Sequence, residues 1–106
     1  MTPDDERLRA CTQLVAEAVA DILEAAGRPG VAIADLRHDS TRSKDLTLLG
    51  LGSFELMRLA ARLEDETGVE LEDAVLLDPH RRCVAGWAAC LHTAGALESV
   101  PDPTPR

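Results

Sequence analysis

Leu48–Leu71 reads LLGLGSFELMRLAARLEDETGVEL: an apolar approach with two glycines, a serine at position 53, and a patterned helix. Leu56, Leu59, Ala60 and Leu63 recur at i, i+3, i+4 and i+7, which sets them on one face of a helix that begins at or just after Ser53. The pattern predicts a helix over Ser53–Thr67. Gly68 should end it, because glycine takes the left-handed conformation at a helix C-terminus without a steric penalty. With the leucines turned inward, Phe54, Met57 and Ala61 fall on a different side, beside Arg58 and Arg62.

Working outward, Thr2-Pro3-Asp4-Asp5 reads as a helix start: threonine caps, proline suits the first helical position, and the acids complement the positive end of the dipole. Leu8, Cys11, Val15, Ala18 and Ile22, flanked by Leu14, Val19 and Leu23, then form an apolar stripe over several turns. This helix should stop near Ala26, with Gly27 as its cap and Pro29 preventing continuation. Residues 28–47 hold no sustained period. They read as a long loop, basic through Arg37, His38, Arg42 and Lys44, that Val31, Ile33 and Leu36 pin to the core. Beyond the central helix, Asp73–Asp78 is predicted to make one or two helical turns that Pro79 stops. Val84, Trp87, Ala88 and Leu91 repeat the helical spacing in a last helix from about Arg82 to Thr93, capped by Gly95. A single domain over residues 1–97 is expected, with a proline-rich disordered tail over 98–106.

At 106 residues the chain can enclose one small core but no deep multi-substrate site. A formal charge of −8 speaks against nucleic acid and anionic membrane surfaces, which need a positive footprint, and in favour of basic protein partners. From Glu64 to Asp78 every ionised residue is acidic. The plain reading is a solvated face; the functional one is negative potential beside the helix of Ser53. Cys11, Cys83 and Cys90 form no Cys-x-x-Cys pair, so free thiols in a reducing compartment are expected. With neither a basic-then-apolar leader nor an apolar span of membrane length, a cytoplasmic, monomeric protein is the simplest expectation.

Few residues invite chemistry. Ser53 has a plain role, since serine is a favoured helix N-cap. Its second role comes from position: a helix N-terminus offers free amides and a positive dipole end, which suit a phosphate attached there. A serine hydrolase is disfavoured, because Glu55 stands where a Gly-x-Ser-x-Gly elbow needs its second glycine. His80, Cys83, Cys90 and His92 do not match zinc-ligand spacing, and the two cysteines suit a buried helix face better. Phe54 and Met57 could wrap the edge of the core or, clustered beside Ser53, serve as a docking surface.

The run Leu49-Gly50-Leu51-Gly52-Ser53-Phe54-Glu55-Leu56, with Leu59, Leu63-Glu64-Asp65-Glu66 and Val69-Glu70-Leu71, resembles the acyl carrier and peptidyl carrier proteins. Their signature is Leu-Gly-x-Asp/His-Ser-Leu leading into an acidic helix; Gly52 stands where the aspartate or histidine usually lies. The resemblance implies an all-α, four-helix bundle of three longer helices and one short one, and it accounts for the long first loop. It also implies a 4′-phosphopantetheine arm on Ser53, placed there from coenzyme A by a separate phosphopantetheinyl transferase. The protein would be a free-standing carrier and not an enzyme, holding intermediates as thioesters for acyl- or aminoacyl-loading enzymes and later biosynthetic enzymes. The strong acidity leans toward the acyl carriers of fatty acid or polyketide pathways, whereas the arginines at the start of the helix and Gly52 suit a specialised biosynthetic pathway. Acyl and aminoacyl or peptidyl cargo, and with the latter nonribosomal peptide biosynthesis, both stay open. Leu51, Phe54, Met57, Arg58, Ala61, Glu64, Asp65 and Glu66 are the expected docking residues. An unmodified carrier-fold protein acting only through that surface is the alternative, which Gly52 keeps in play.

Overall fold

The computed structural model describes residues 3–27 and 33–95. Within them the chain is helical, with no β-strand: α1 (Pro3–Ala25), α2 (Ile33–Arg37), α3 (Asp39–Arg42), a 3₁₀ turn (Leu46–Leu49), α4 (Ser53–Thr67), α5 (Ala74–Leu77) and α6 (Val84–Thr93). Three long helices and the short α5 make the expected bundle. The stretch read as a loop differs, because residues 33–49 fold into two short helices and a 3₁₀ turn. Thr2, Pro29, the side chains of Val31 and Ile33, and the tail over 98–106 lie outside what is described.

Helix α1 is the hub, packing on α6, α4 and α2. Its stripe of Cys11, Val15, Ala18, Val19, Ile22 and Leu23 is buried against Leu56, Leu59 and Leu63 of α4 and Val84, Trp87 and Leu91 of α6, all in one core. Removing a leucine or valine side chain from water stabilises the fold by about 1.5–3 kcal/mol, so this seam outweighs helix propensity. Leu8 departs from the predicted stripe, being 38% exposed. Leu36 is fully buried, and its short helix is thereby held to α1 as the sequence suggested.

The ends of the helices are set locally. Ala26 and Gly27 donate to the Ile22 and Glu24 carbonyls, closing α1 one residue earlier than predicted. At the end of α4, Gly68 N–H reaches Glu64 O at 2.8 Å, and the Glu64 carboxylate accepts from Leu71 N–H at 3.0 Å. Helix α6 begins two residues later than predicted, where the Cys83 sulfur accepts from Gly86 N–H at 3.2 Å. Gly86 is needed there: a Cβ would clash with the Arg81 carbonyl oxygen. The Trp87 indole, wholly buried, donates to Val75 O at 2.7 Å and so fastens α5 to α6.

Candidate functional site

The approach to Ser53 is a compact, hydrogen-bonded loop. Asp45 caps the 3₁₀ turn, its Oδ1 accepting from Thr47 N–H at 3.0 Å and from Thr47 Oγ1 at 2.9 Å. Gly50 ends the turn at φ 107°, a left-handed geometry that costs an L residue about 1–2 kcal/mol. Its N–H returns to Thr47 O, and the next amide, Leu51 N–H, returns to Leu46 O at 3.2 Å. This reversal drives Leu51 into the core, where it is 1% exposed. Leu51 therefore leaves the group of expected docking residues: its side chain faces the protein interior and anchors the approach.

Ser53 is the first residue of α4, and the N-cap is Gly52 instead of the serine. Having no side chain, Gly52 supplies only half of a capping box: Glu55 Oε1 accepts from Gly52 N–H at 2.9 Å, and nothing answers in return. The first helical bond is Leu56 N–H to Gly52 O, which leaves the amides of Ser53, Phe54 and Glu55 without an acceptor among the described residues. Ser53 is exposed, and among the described residues no hydrogen bond draws its hydroxyl back to the protein. The glycine is not demanded by the backbone. Gly52 sits at φ −86° and ψ −178°, extended values open to any residue, and an added Cβ would meet only the Glu55 carboxylate, at 3.1 Å.

An exposed hydroxyl beside three open amides at a positive dipole end suits a phosphodiester. The residues present therefore fit a 4′-phosphopantetheine group attached at this point. Asp45, missed by the sequence reading, is set under this loop by Arg82. Arg82 Nε and Nη2 each lie 2.9 Å from an Asp45 oxygen. The Arg82 hydrogen bonds, ahead of those from Thr47, hold the Asp45 carboxyl well below the usual carboxylate range despite the opposing effect of burial. The only local sign of Asp45's role is an aspartate two residues ahead of a threonine at the start of an apolar turn; nothing local marks Arg82.

The outward side of α4 divides by chemistry. Near Ser53, Phe54 (68% exposed) and Met57 (67%) stand clear of the core, with exposed Ala61 one turn further on. The Arg58 guanidinium lies 5.7 Å from the centre of the Phe54 ring, within cation–π reach. Toward the other end come the acids, each in a different state. Glu64 is bound to the Leu71 amide, Glu66 pairs with Arg62 at 3.1 Å, and Asp65 is exposed. Arg62 also pairs with Asp21 of α1 at 2.7 Å, and this bond, ahead of that to Glu66, keeps it charged above its ordinary range.

The three cysteines are buried and outside any disulfide, and burial raises the Cys11 thiol pKa. Among the described residues no three His, Cys, Asp or Glu side chains are grouped to hold a metal ion, and no helix is long and apolar enough to cross a membrane. The family model for the phosphopantetheine attachment site matches residues 13–91, and the chain belongs to that family. Its members carry 4′-phosphopantetheine covalently, usually on a serine. No curated protein and no solved structure matches the chain significantly.

Proposed function

We propose that Ser53 is the attachment point and that the protein is a free-standing carrier for acyl, aminoacyl or peptidyl intermediates in a biosynthetic pathway. The observation that carries this is an exposed, unengaged serine hydroxyl at the first position of α4, beside three open amides, within the matched region. The terminal thiol of the arm holds cargo as a thioester. The chain's own residues would bind and orient: the open amides at the start of α4 would receive the phosphate, and the leucine face fixes α4 on α1. No base in the chain is needed, because a phosphopantetheinyl transferase performs the loading and the carrier itself catalyses nothing. Phe54, Met57, Arg58 and Ala61 would form the docking surface, with Glu64, Asp65 and Glu66 supplying negative charge at its far edge. Tethering raises the effective concentration of the intermediate at each partner's site. Buried thiols outside any disulfide agree with a reducing, cytoplasmic setting.

The test is loading with coenzyme A and a broad-specificity phosphopantetheinyl transferase, read by intact mass. Wild type should gain one phosphopantetheine and Ser53→Ala none. Absence of any gain in wild type would leave the unmodified interaction module as the better reading, and an undiminished gain in Ser53→Ala would move the site elsewhere.

A further inference from the structure

Asp45 and Arg82 stand 37 positions apart in the chain, yet they meet side-on, Nε to Oδ1 and Nη2 to Oδ2, both at 2.9 Å. Their side chains are only 17% and 20% exposed, and charge-assisted bonds in a planar fork hold direction as well as distance. The same two residues are joined again through the backbone, Leu46 N–H donating to Arg82 O at 2.7 Å. Arg82 Nη1 reaches Leu76 O at 3.3 Å, so the knot includes α5. Asp45 in turn fixes Thr47 through two bonds to Oδ1. From there the order passes along the chain: Thr47 O receives Gly50 N–H, Leu46 O receives Leu51 N–H, and Gly52 and Ser53 follow.

Helix α4 itself is held differently, by leucines packed on α1. Leu46 and Leu51 sit in the core, so loss of the knot should loosen the turn between them and Gly52 after them while α4 stays docked. The serine would then remain on its helix but in a loop that samples several shapes.

We propose that Asp45 and Arg82 are positioning residues for the loading of Ser53, their ion pair holding the approach segment 46–52 in the one shape that a phosphopantetheinyl transferase accepts. This rests on Ser53 being the residue loaded. The pair touches neither the hydroxyl nor the incoming group; it selects the competent shape of the segment ahead of them.

The experiment measures the loading rate against carrier concentration, with coenzyme A and the same transferase, for wild type, Asp45→Asn, Arg82→Gln, Arg82→Lys and the Asp45→Asn/Arg82→Gln double variant. Thermal melts are recorded in parallel, and all rates are taken well below each midpoint. If the competent shape falls to about a tenth of the population, KM for the carrier rises about tenfold while kcat holds. Arg82→Gln should show that rise. Arg82→Lys, which keeps the charge and loses the fork, should fall between it and wild type. The double variant should match the worse single variant, because both remove one interaction. A KM within twofold of wild type in Arg82→Gln, additive effects in the double variant, or a loss confined to kcat would overturn the proposal. If Arg82→Gln does not fold, Arg82→Lys carries the test, and an unchanged KM there overturns the proposal equally. No loading of wild type, by contrast, defeats the assignment of Ser53 itself, a result separate from any difference among variants.

Discussion

The two stretches that meet at Ser53 are secured in different proportions by packing and by polar bonds. Residues 45–52 ahead of it have two core anchors, Leu46 and Leu51, and are otherwise laced by hydrogen bonds and an ion pair to residues 76–82. Helix α4 behind it is held mainly by leucines buried on α1, with the Arg62–Asp21 pair at its edge. Apolar packing is non-directional and fixes where a helix lies; a planar ion pair is directional and fixes how a loop turns. If Ser53 is the residue loaded, as proposed, it needs both a rigid base and a defined presentation, and the chain supplies them from different chemistries. The two sides should therefore fail under different perturbations.

The largest break falls on the packed side. Leu59 is fully buried, and Leu59→Ala should cost about 3 kcal/mol of unfolding free energy, within the range of about 2–5 for such truncations. Urea denaturation followed by circular dichroism reads this directly, and an unshifted midpoint would mean that the α4 seam does not hold the fold. Next comes Gly86→Ala, where two effects compete. Alanine gains about 1 kcal/mol of helix propensity over glycine. Its Cβ must also clear the Arg81 carbonyl oxygen, and overpacking typically costs about 1–3 kcal/mol. The clash with backbone should win, giving a net loss and a displaced Arg82; a stabilised variant would refute the close approach.

A smaller effect separates the laced side by its response to acid. A carboxyl whose folded pKa lies below its unfolded value contributes stability that is present above the unfolded pKa, near 4, and is lost as pH falls through the folded value. Asp45→Asn should therefore be less stable than wild type at pH 6, and the gap should narrow as pH drops below about 4. A gap that stays constant down to pH 2 would show that the ionised pair is not the source. The smallest change in stability is expected at the proposed docking surface. Phe54→Ala and Arg58→Glu should each alter unfolding free energy by no more than about 0.5 kcal/mol, as exposed positions usually do. Both should nevertheless weaken binding to a loading enzyme in a pull-down or calorimetric titration.

The packed half of this arrangement was legible in the sequence because burial leaves a period. Leu56, Leu59, Ala60 and Leu63 are all buried where the spacing placed them, and so are Val84, Trp87, Ala88 and Leu91. The laced half was not. An ion pair spanning 37 positions leaves no local pattern, and the 3₁₀ turn over Leu46–Leu49 beside it, like the short helix that buried Leu36 holds to α1, is too short to show an amphipathic repeat. Leu51 shows the same limit. It stood among the expected docking residues, but its side chain is turned into the core after the left-handed turn at Gly50. Leu8 errs in the opposite sense: it keeps the period of α1 in a part of the helix where the core no longer covers it.

The hydrogen bond from the Trp87 indole to Val75 has an optical consequence. The chain holds one tryptophan and no tyrosine, so its near-ultraviolet emission comes from this single ring, wholly buried at the joint between α5 and α6. Any partner, cargo or mutation that lifts α5 from α6 will change the polarity around that ring and shift its emission to longer wavelength. The protein thus carries its own label for movement at the joint that Arg82 ties to the serine loop.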